Sequence, residues 1–139
     1  MAGYSPNPLI KKLGFKDGSS ALLLAVPDGL AEISAFPGFV SIDRKLEAGT
    51  RRYDAAHWFE TSRARLEDGI ELVASGLKPD AMLWISWPKK ASKVPTDITE
   101  DVLREVILPL GLVDVKVCAV DEVWSGLKFM WRREKRSAL

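Results

Sequence analysis

The sequence is short of most features that announce a chemistry. It has one cysteine, Cys118, which excludes an internal disulfide and a cysteine-rich zinc site. It has one histidine, His57, so no second imidazole is available to share a metal. It has no surplus of charge: 20 basic residues stand against 19 acidic ones, a net charge of +1. No global field therefore steers it to nucleic acid or to an acidic membrane, and an anionic partner has to be recruited by a local patch. No apolar run approaches the ~20 residues that a membrane-spanning helix needs. Residues 1–8 show no basic stretch followed by an apolar one, so no signal peptide is read and the cytoplasm is the expected compartment. Internal repeats, low-complexity tracts and linkers are missing as well.

What is present is an ordinary globular composition. The 139 residues are 47% apolar and 28% charged, which suits one domain around one core, with an irregular arm at 1–7 and a polar tail at 133–139. Pro8, Leu9, Ile10 and Leu13 predict a short helix stopped by Gly14. The continuous apolar run at 21–26 predicts a strand covered on both faces. A short helix at 30–36, a strand at 39–43 ending on Asp43, a polar loop at 44–52 and a strand at 55–59 follow. Residues 62–75 form the clearest amphipathic helix, with Leu66, Ile70 and Val73 on one face and Gly76 as its stop. Lys78-Pro79-Asp80 reads as a turn. Residues 81–87 are apolar on both faces apart from Ser86, which predicts a central strand. Thr96 or Asp97 is the expected cap of the next helix, whose stripe is Ile98, Val102, Val106 and Ile107. Residues 112–120 alternate, as a half-exposed strand near an edge does, and 127–132 close an antiparallel hairpin. The order of elements predicts a three-layer, Rossmann-like α/β fold whose sheet is mostly parallel.

Tyr53-Asp54 leading into a strand, then an amphipathic helix, then Leu77-Lys78-Pro79-Asp80 leading into Leu83-Trp84-Ile85-Ser86, resembles the second half of a class I methyltransferase. The resemblance implies the methyltransferase strand order with one edge strand missing, because 44–52 is too short for a further helix and strand. The chain is also similar to a bacterial family of small proteins known only as a domain of unknown function. Trp87-Pro88-Lys89-Lys90-Ala91-Ser92, Val94-Pro95-Thr96-Asp97 and Trp124-Ser125-Gly126-Leu127 carry that likeness. The methyltransferase resemblance implies a cofactor site at the turn after the first strand, with Asp28 and Gly29, and a ribose-binding acid at Asp43. Against it, that turn keeps one glycine of the usual three, and Pro27 removes a backbone donor. Negligible S-adenosylmethionine binding is expected, and no cofactor or metal is assigned. Glu60-Thr61-Ser62 also replaces the Asn-Pro-Pro-aromatic motif of amino-methylating enzymes.

The loop from Pro88 to Asp97 leaves the carboxyl end of a central strand, the edge at which open α/β sheets bind ligands. Lys89, Lys90, Lys93 and Thr96 there, with Trp124 and Ser125 of the hairpin loop on the same rim, are the candidate ligand-binding residues for a phosphate or carboxylate. A solvated basic loop is the competing reading, since Asp97 and Glu100 compete for the lysines. Trp58, Trp84 and Trp131 are assigned to packing, His57 to a hydrogen-bonded core position and Cys118 to a buried thiol. The basic tail Arg132, Arg133, Lys135 and Arg136 has no interleaved aromatics, which disfavours nucleic acid. The preferred functional reading is a non-catalytic protein that binds a small anion or a protein partner at the carboxyl rim, leaning away from an enzyme and with no membrane partner. The alternatives are a minimal S-adenosylmethionine-dependent methyltransferase and a phosphate- or nucleic-acid-binding module.

Overall fold

The computed structural model describes residues 8–46 and 50–139. The chain runs α1 (Pro8–Leu13), β1 (Ser19–Leu24), α2 (Ala31–Ser34), β2 (Phe39–Asp43), β3 (Tyr53–Phe59), α3 (Arg63–Ser75), β4 (Leu77–Pro88), α4 (Glu100–Ile107), β5 (Leu112–Ala119), β6 (Trp124–Trp131) and α5 (Arg133–Arg136). Single turns of 3-10 helix stand at Lys90–Ser92 and Leu108–Leu110. One sheet of six strands has the order β2-β1-β3-β4-β6-β5. The first four strands are parallel, and β6 and β5 close the sheet as an antiparallel hairpin. The expected α/β class and the central place of β4 hold, and among the described residues β2 is the outer strand on its side. No helix among the described residues is long and apolar enough to cross a membrane.

Side chains of a strand alternate between faces, and here each face meets its own helices. Ala55, His57 and Phe59 of β3 and Trp84 of β4 face α1 and α2, against Leu13, Ile33 and Phe36. Ala56 and Trp58 of β3 and Leu83 and Ile85 of β4 face α3 and α4, against Leu66, Ile70, Leu103 and Ile107. Double coverage explains why these strands read as unbroken apolar runs. The wholly buried Trp84 donates its indole N–H to the Leu13 carbonyl at 2.9 Å, satisfying a carbonyl at the end of α1. Ser62 caps α3 by accepting from the Arg65 N–H at 3.3 Å. Gly69, in the middle of that helix, costs about 1 kcal/mol in propensity. Trp58 explains it: the indole lies 3.0 Å from where a Cβ would stand.

Several boundaries differ from the expected ones for local reasons. β1 lies two residues early, because Ala25 takes φ 58° and turns the chain out of the sheet before Val26. The helix expected at 30–36 is the shorter α2. Lys78-Pro79-Asp80 is extended backbone inside β4, where Lys78 pairs with Asp54 at 3.2 Å and an irregular register beside Tyr53 absorbs the extra residues. α4 is capped by Thr99 and not by Thr96 or Asp97, whose side chains are committed elsewhere. Trp124 and Ser125 open β6 and do not lie in the loop, because Asp121 tightens the turn by accepting from the Val123 and Trp124 amides at 2.9 and 2.8 Å. Residues 133–136 form α5. In β5 the register skips Val115, between Asp114 opposite Phe129 and Lys116 opposite Lys128. This bulge reverses the facing of the strand. Leu112 therefore packs in the α3–α4 core and Cys118 in the α1–α2 core, while Val115 and Val117 stay exposed.

Candidate functional site

The chain leaves β1 for β2 on one side and leaves β3 for β4 on the other, so the winding reverses between the neighbours β1 and β3. The carboxyl ends of such a pair diverge into the crevice at which doubly wound sheets hold ligands. A cavity of about 480 Å³ lies there. Leu24 and Ala25 line it from β1, Arg44, Lys45 and Leu46 from the segment after β2, Trp58 and Glu60 from β3, and Arg65, Asp68 and Gly69 from α3. Its size falls within the ~300–1,000 Å³ typical of small-molecule sites.

Glu60 is buried at the end of β3, and its carboxylate is fully used. It accepts from the Trp58 indole at 3.2 Å, from the Thr61 and Ser62 amides at 2.9 and 3.0 Å, and from the Arg65 guanidinium at 2.9 Å. Its work is to fix the β3–α3 junction and the indole that walls the crevice. Sequence reasoning passed over Glu60, Trp58 and Arg65 as site residues. The available signal was an acid ending an apolar strand two residues before a helix cap.

Asp43 ends β2 just before the lining residue Arg44. Its Oδ2 accepts from the Tyr53 hydroxyl and pairs with Arg52 at 3.2 Å, while Oδ1 takes no hydrogen bond among the described residues. Asp28 and Gly29 sit exposed in the turn after β1, outside the cavity. A Cβ on Gly29 meets nothing within 4 Å, so internal packing does not demand a glycine there. The sharp exit from β1 is made by Ala25 in the left-handed region that glycine enters freely.

A second cavity, of about 410 Å³, lies under the lysine loop beyond β4. It brings together Lys90, Lys93 and Thr96 with Trp87, Pro88 and Ile98. Lys89 is outside it and donates its backbone N–H to the Val123 carbonyl at 2.7 Å. Among the described residues no carboxylate pairs with these three lysines. Asp97 accepts from the Arg63 amide at 2.7 Å and Glu100 pairs with Arg104 at 3.0 Å, so neither competes. Trp124 stands opposite Pro88 and Ser125 opposite Trp87. The Trp124 ring packs edge-on to Phe59 at 5.2 Å, on the α1–α2 face, whereas Trp87 and Ile98 of the lysine cavity belong to the α3–α4 core. The sheet thus stands between the indole and the lysine cavity.

His57 is wholly buried on the α1–α2 face. Its Nε2 is 2.7 Å from the Ser86 hydroxyl and its ring stacks on Phe59 at 4.2 Å. Burial pushes its pKa down to about 3, so the ring is neutral and takes no part in the crevice. Cys118 is buried and free. No cluster of three or more histidine, cysteine or carboxylate groups suited to a metal occurs among the described residues.

No protein-family model and no curated protein matches the chain. Solved structures do. A SAM-dependent methyltransferase from Aquifex aeolicus aligns at 15% identity over 93% of this chain and 90% of its own, with a TM-score of 0.65. The 1,6-didemethyltoxoflavin-N1-methyltransferase of Burkholderia thailandensis, with bound 1,6-didemethyltoxoflavin and S-adenosylhomocysteine, aligns at 14% over 87% and 73%, with a TM-score of 0.62. Magnesium protoporphyrin IX methyltransferase of Synechocystis PCC 6803, with bound SAM, aligns at 12% over 89% and 74%, with a TM-score of 0.59. The fold is Rossmann-like and methyltransferase-like. The preference for a non-catalytic binding protein is corrected by this finding: these three structures of the same fold are methyltransferases, two of them holding SAM or S-adenosylhomocysteine.

Proposed function

We propose that the chain is a minimal S-adenosylmethionine-dependent methyltransferase whose cofactor lies in the crevice between β1 and β3. The observation that carries this reading is the cavity at the point where the winding reverses, with Asp43 directly before its rim. The residues present suit the group. Leu24, Leu46 and Trp58 offer an apolar wall for an adenine, and Arg44 and Arg65 stand by for a carboxylate. Asp43 keeps Oδ1 for a ribose hydroxyl. This departs from the negligible binding expected from Pro27. Pro27 still withholds a donor, but Ala25 supplies the turn that the lost glycines make elsewhere.

S-adenosylmethionine supplies a methyl group on a positively charged sulfur. The chain's own part is to bind and orient. Glu60 is saturated and His57 is buried and neutral, so neither is a free base for the crevice. The exposed Asp68 is the other carboxylate of the crevice lining, and rate comes from placing the acceptor against the methyl group. Lys90, Lys93 and Thr96 line the acceptor side, which the Thr96 hydroxyl joins to the β3–α3 junction by donating to the Thr61 carbonyl at 2.7 Å. Calorimetric titration with S-adenosylhomocysteine tests it. Binding weakened at least tenfold by Asp43→Asn and by Leu46→Asp is the expected result. No heat and no thermal shift at millimolar ligand overturns the proposal.

A further inference from the structure

The sheet face on which α1 packs carries a group of lysines that the crevice does not use. Lys116 of β5 and Lys128 of β6 stand directly opposite one another. Like charges in opposed cross-strand positions destabilise the pair. Lys12 of α1 joins them: its ammonium donates to the Ala119 carbonyl at 2.9 Å, and the Lys116 ammonium donates to the Lys12 carbonyl at 3.3 Å. The Lys128 nitrogen lies 4.0 Å from where a Cβ on Gly14 would stand, two residues before Lys16. Partial burial, and then the charges of Lys116 and Lys16, push the Lys128 pKa down.

Among the described residues no carboxylate forms an ion pair with any of the four. Three of the acids around them are held by other cations. Asp114 of β5 binds Arg104 at 3.2 Å, and Asp54 holds Lys78 at 3.2 Å at the amino end of the sheet. Asp80 reaches Arg136 at 3.7 Å. Asp17, the neighbour of Lys16, is the remaining acid of that end. Residues 1–7 contain no acid. In a chain whose charges otherwise balance, these lysines have two backbone carbonyls and no ion-paired carboxylate among the described residues, a mutual repulsion that a bound anion offsets.

We propose that Lys16, Lys116 and Lys128, backed by Lys12, bind a compact phosphate-bearing ligand on the α1 face of the sheet. Ammonium groups on flexible stems act as point charges suited to phosphate, and no arginine fork is present to favour a planar carboxylate. The patch is small and the net charge is +1. It therefore fits a diphosphate group better than a nucleic-acid strand, which is held by an extended row of cations.

The test uses the full chain with sodium pyrophosphate, against sodium chloride of equal ionic strength, read by thermal unfolding and calorimetry. Ligand that binds only the folded state raises the melting temperature. Pyrophosphate is expected to raise it by several degrees beyond the chloride control. Lys128→Gln and Lys116→Gln are expected to match or exceed the unliganded wild type in melting temperature and to lose the pyrophosphate response. That pairing separates an anion site from lysines that merely pack, whose removal lowers the unliganded melting temperature. Lys90→Gln with Lys93→Gln is expected to keep the response. Equal shifts with pyrophosphate and chloride overturn the proposal, as does a response retained in Lys128→Gln or lost in the lysine-loop variant. A single-stranded RNA that stabilises more than pyrophosphate through Lys128 overturns the compact ligand in favour of a strand.

Discussion

Acidification discriminates sharply because one buried group dominates its effect. His57 has two ring nitrogens and one partner: Nε2 meets the Ser86 hydroxyl, and Nδ1 is buried with no hydrogen bond among the described residues. The imidazolium has two N–H groups to place and finds one hydroxyl in a wholly buried site, and burial pushes its pKa down to about 3 from the ordinary 6.5. Between those values the unfolded chain binds the proton and the folded chain does not. Stability is therefore full above about pH 6.5 and falls as the pH is lowered. At ~1.36 kcal/mol per pH unit, moving to pH 5 crosses about 1.5 units of this window and removes about 2 kcal/mol. Urea unfolding at pH 7 and pH 5 measures it, with His57→Gln as the reference, because glutamine keeps a nitrogen near Ser86 and does not titrate. Carboxylate effects are common to both proteins and cancel in the difference. The wild type is expected to lose about 2 kcal/mol more than His57→Gln over this interval. Parallel losses in the two proteins refute the assignment of a neutral, locked imidazole.

Three further outcomes follow from the same geometry. Glu60→Gln leaves several donors facing an amide and is expected to cost about 2 kcal/mol in urea unfolding, with a blue-shifted or broadened Trp58 indole resonance as the local readout. Ala25→Gly relieves a left-handed alanine but loosens the unfolded chain, so a net gain of ~0.5 kcal/mol is expected; a clear loss contradicts the φ of 58°. Trp124→Ala removes a half-buried ring from Phe59 and is expected to cost about 2 kcal/mol, short of the 3–5 kcal/mol of a core aromatic, as measured by denaturant midpoint at constant slope.

The architecture is legible because two-sided burial leaves an unmistakable trace: 81–87 reads as a central strand, and Leu127, Phe129 and Trp131, alternating along β6, lie together in the α3–α4 core. What the sequence concealed was set by contacts between distant segments. Nothing local marks Ala25 as left-handed or Val115 as the residue that β5 skips. Turn chemistry misled at Lys78-Pro79-Asp80, where pairing with Asp54 outweighs the local preference. Thr96 and Asp97 have the right chemistry for a cap, and Asp97 does serve a helix terminus, but that of α3 and not of the helix that follows. The crevice was anticipated only through Asp43. Its apolar wall comes from Trp58 and Leu46, residues that read as core and as loop until the winding of the sheet places them together.

The lysine loop and α3 are fastened by two bonds, from Thr96 to the Thr61 carbonyl and from the Arg63 amide to Asp97. Arg63 is the first residue of α3, so its N–H has no partner within the helix. Lifting the loop therefore bares that amide to solvent while Ser62 keeps its cap on the Arg65 N–H. Hydrogen exchange at Arg63 then becomes a clock for opening of the second cavity, slow while the loop is seated and fast when it lifts. A ligand that holds the loop down slows that clock without touching α3, and the amide reports occupancy from across the rim.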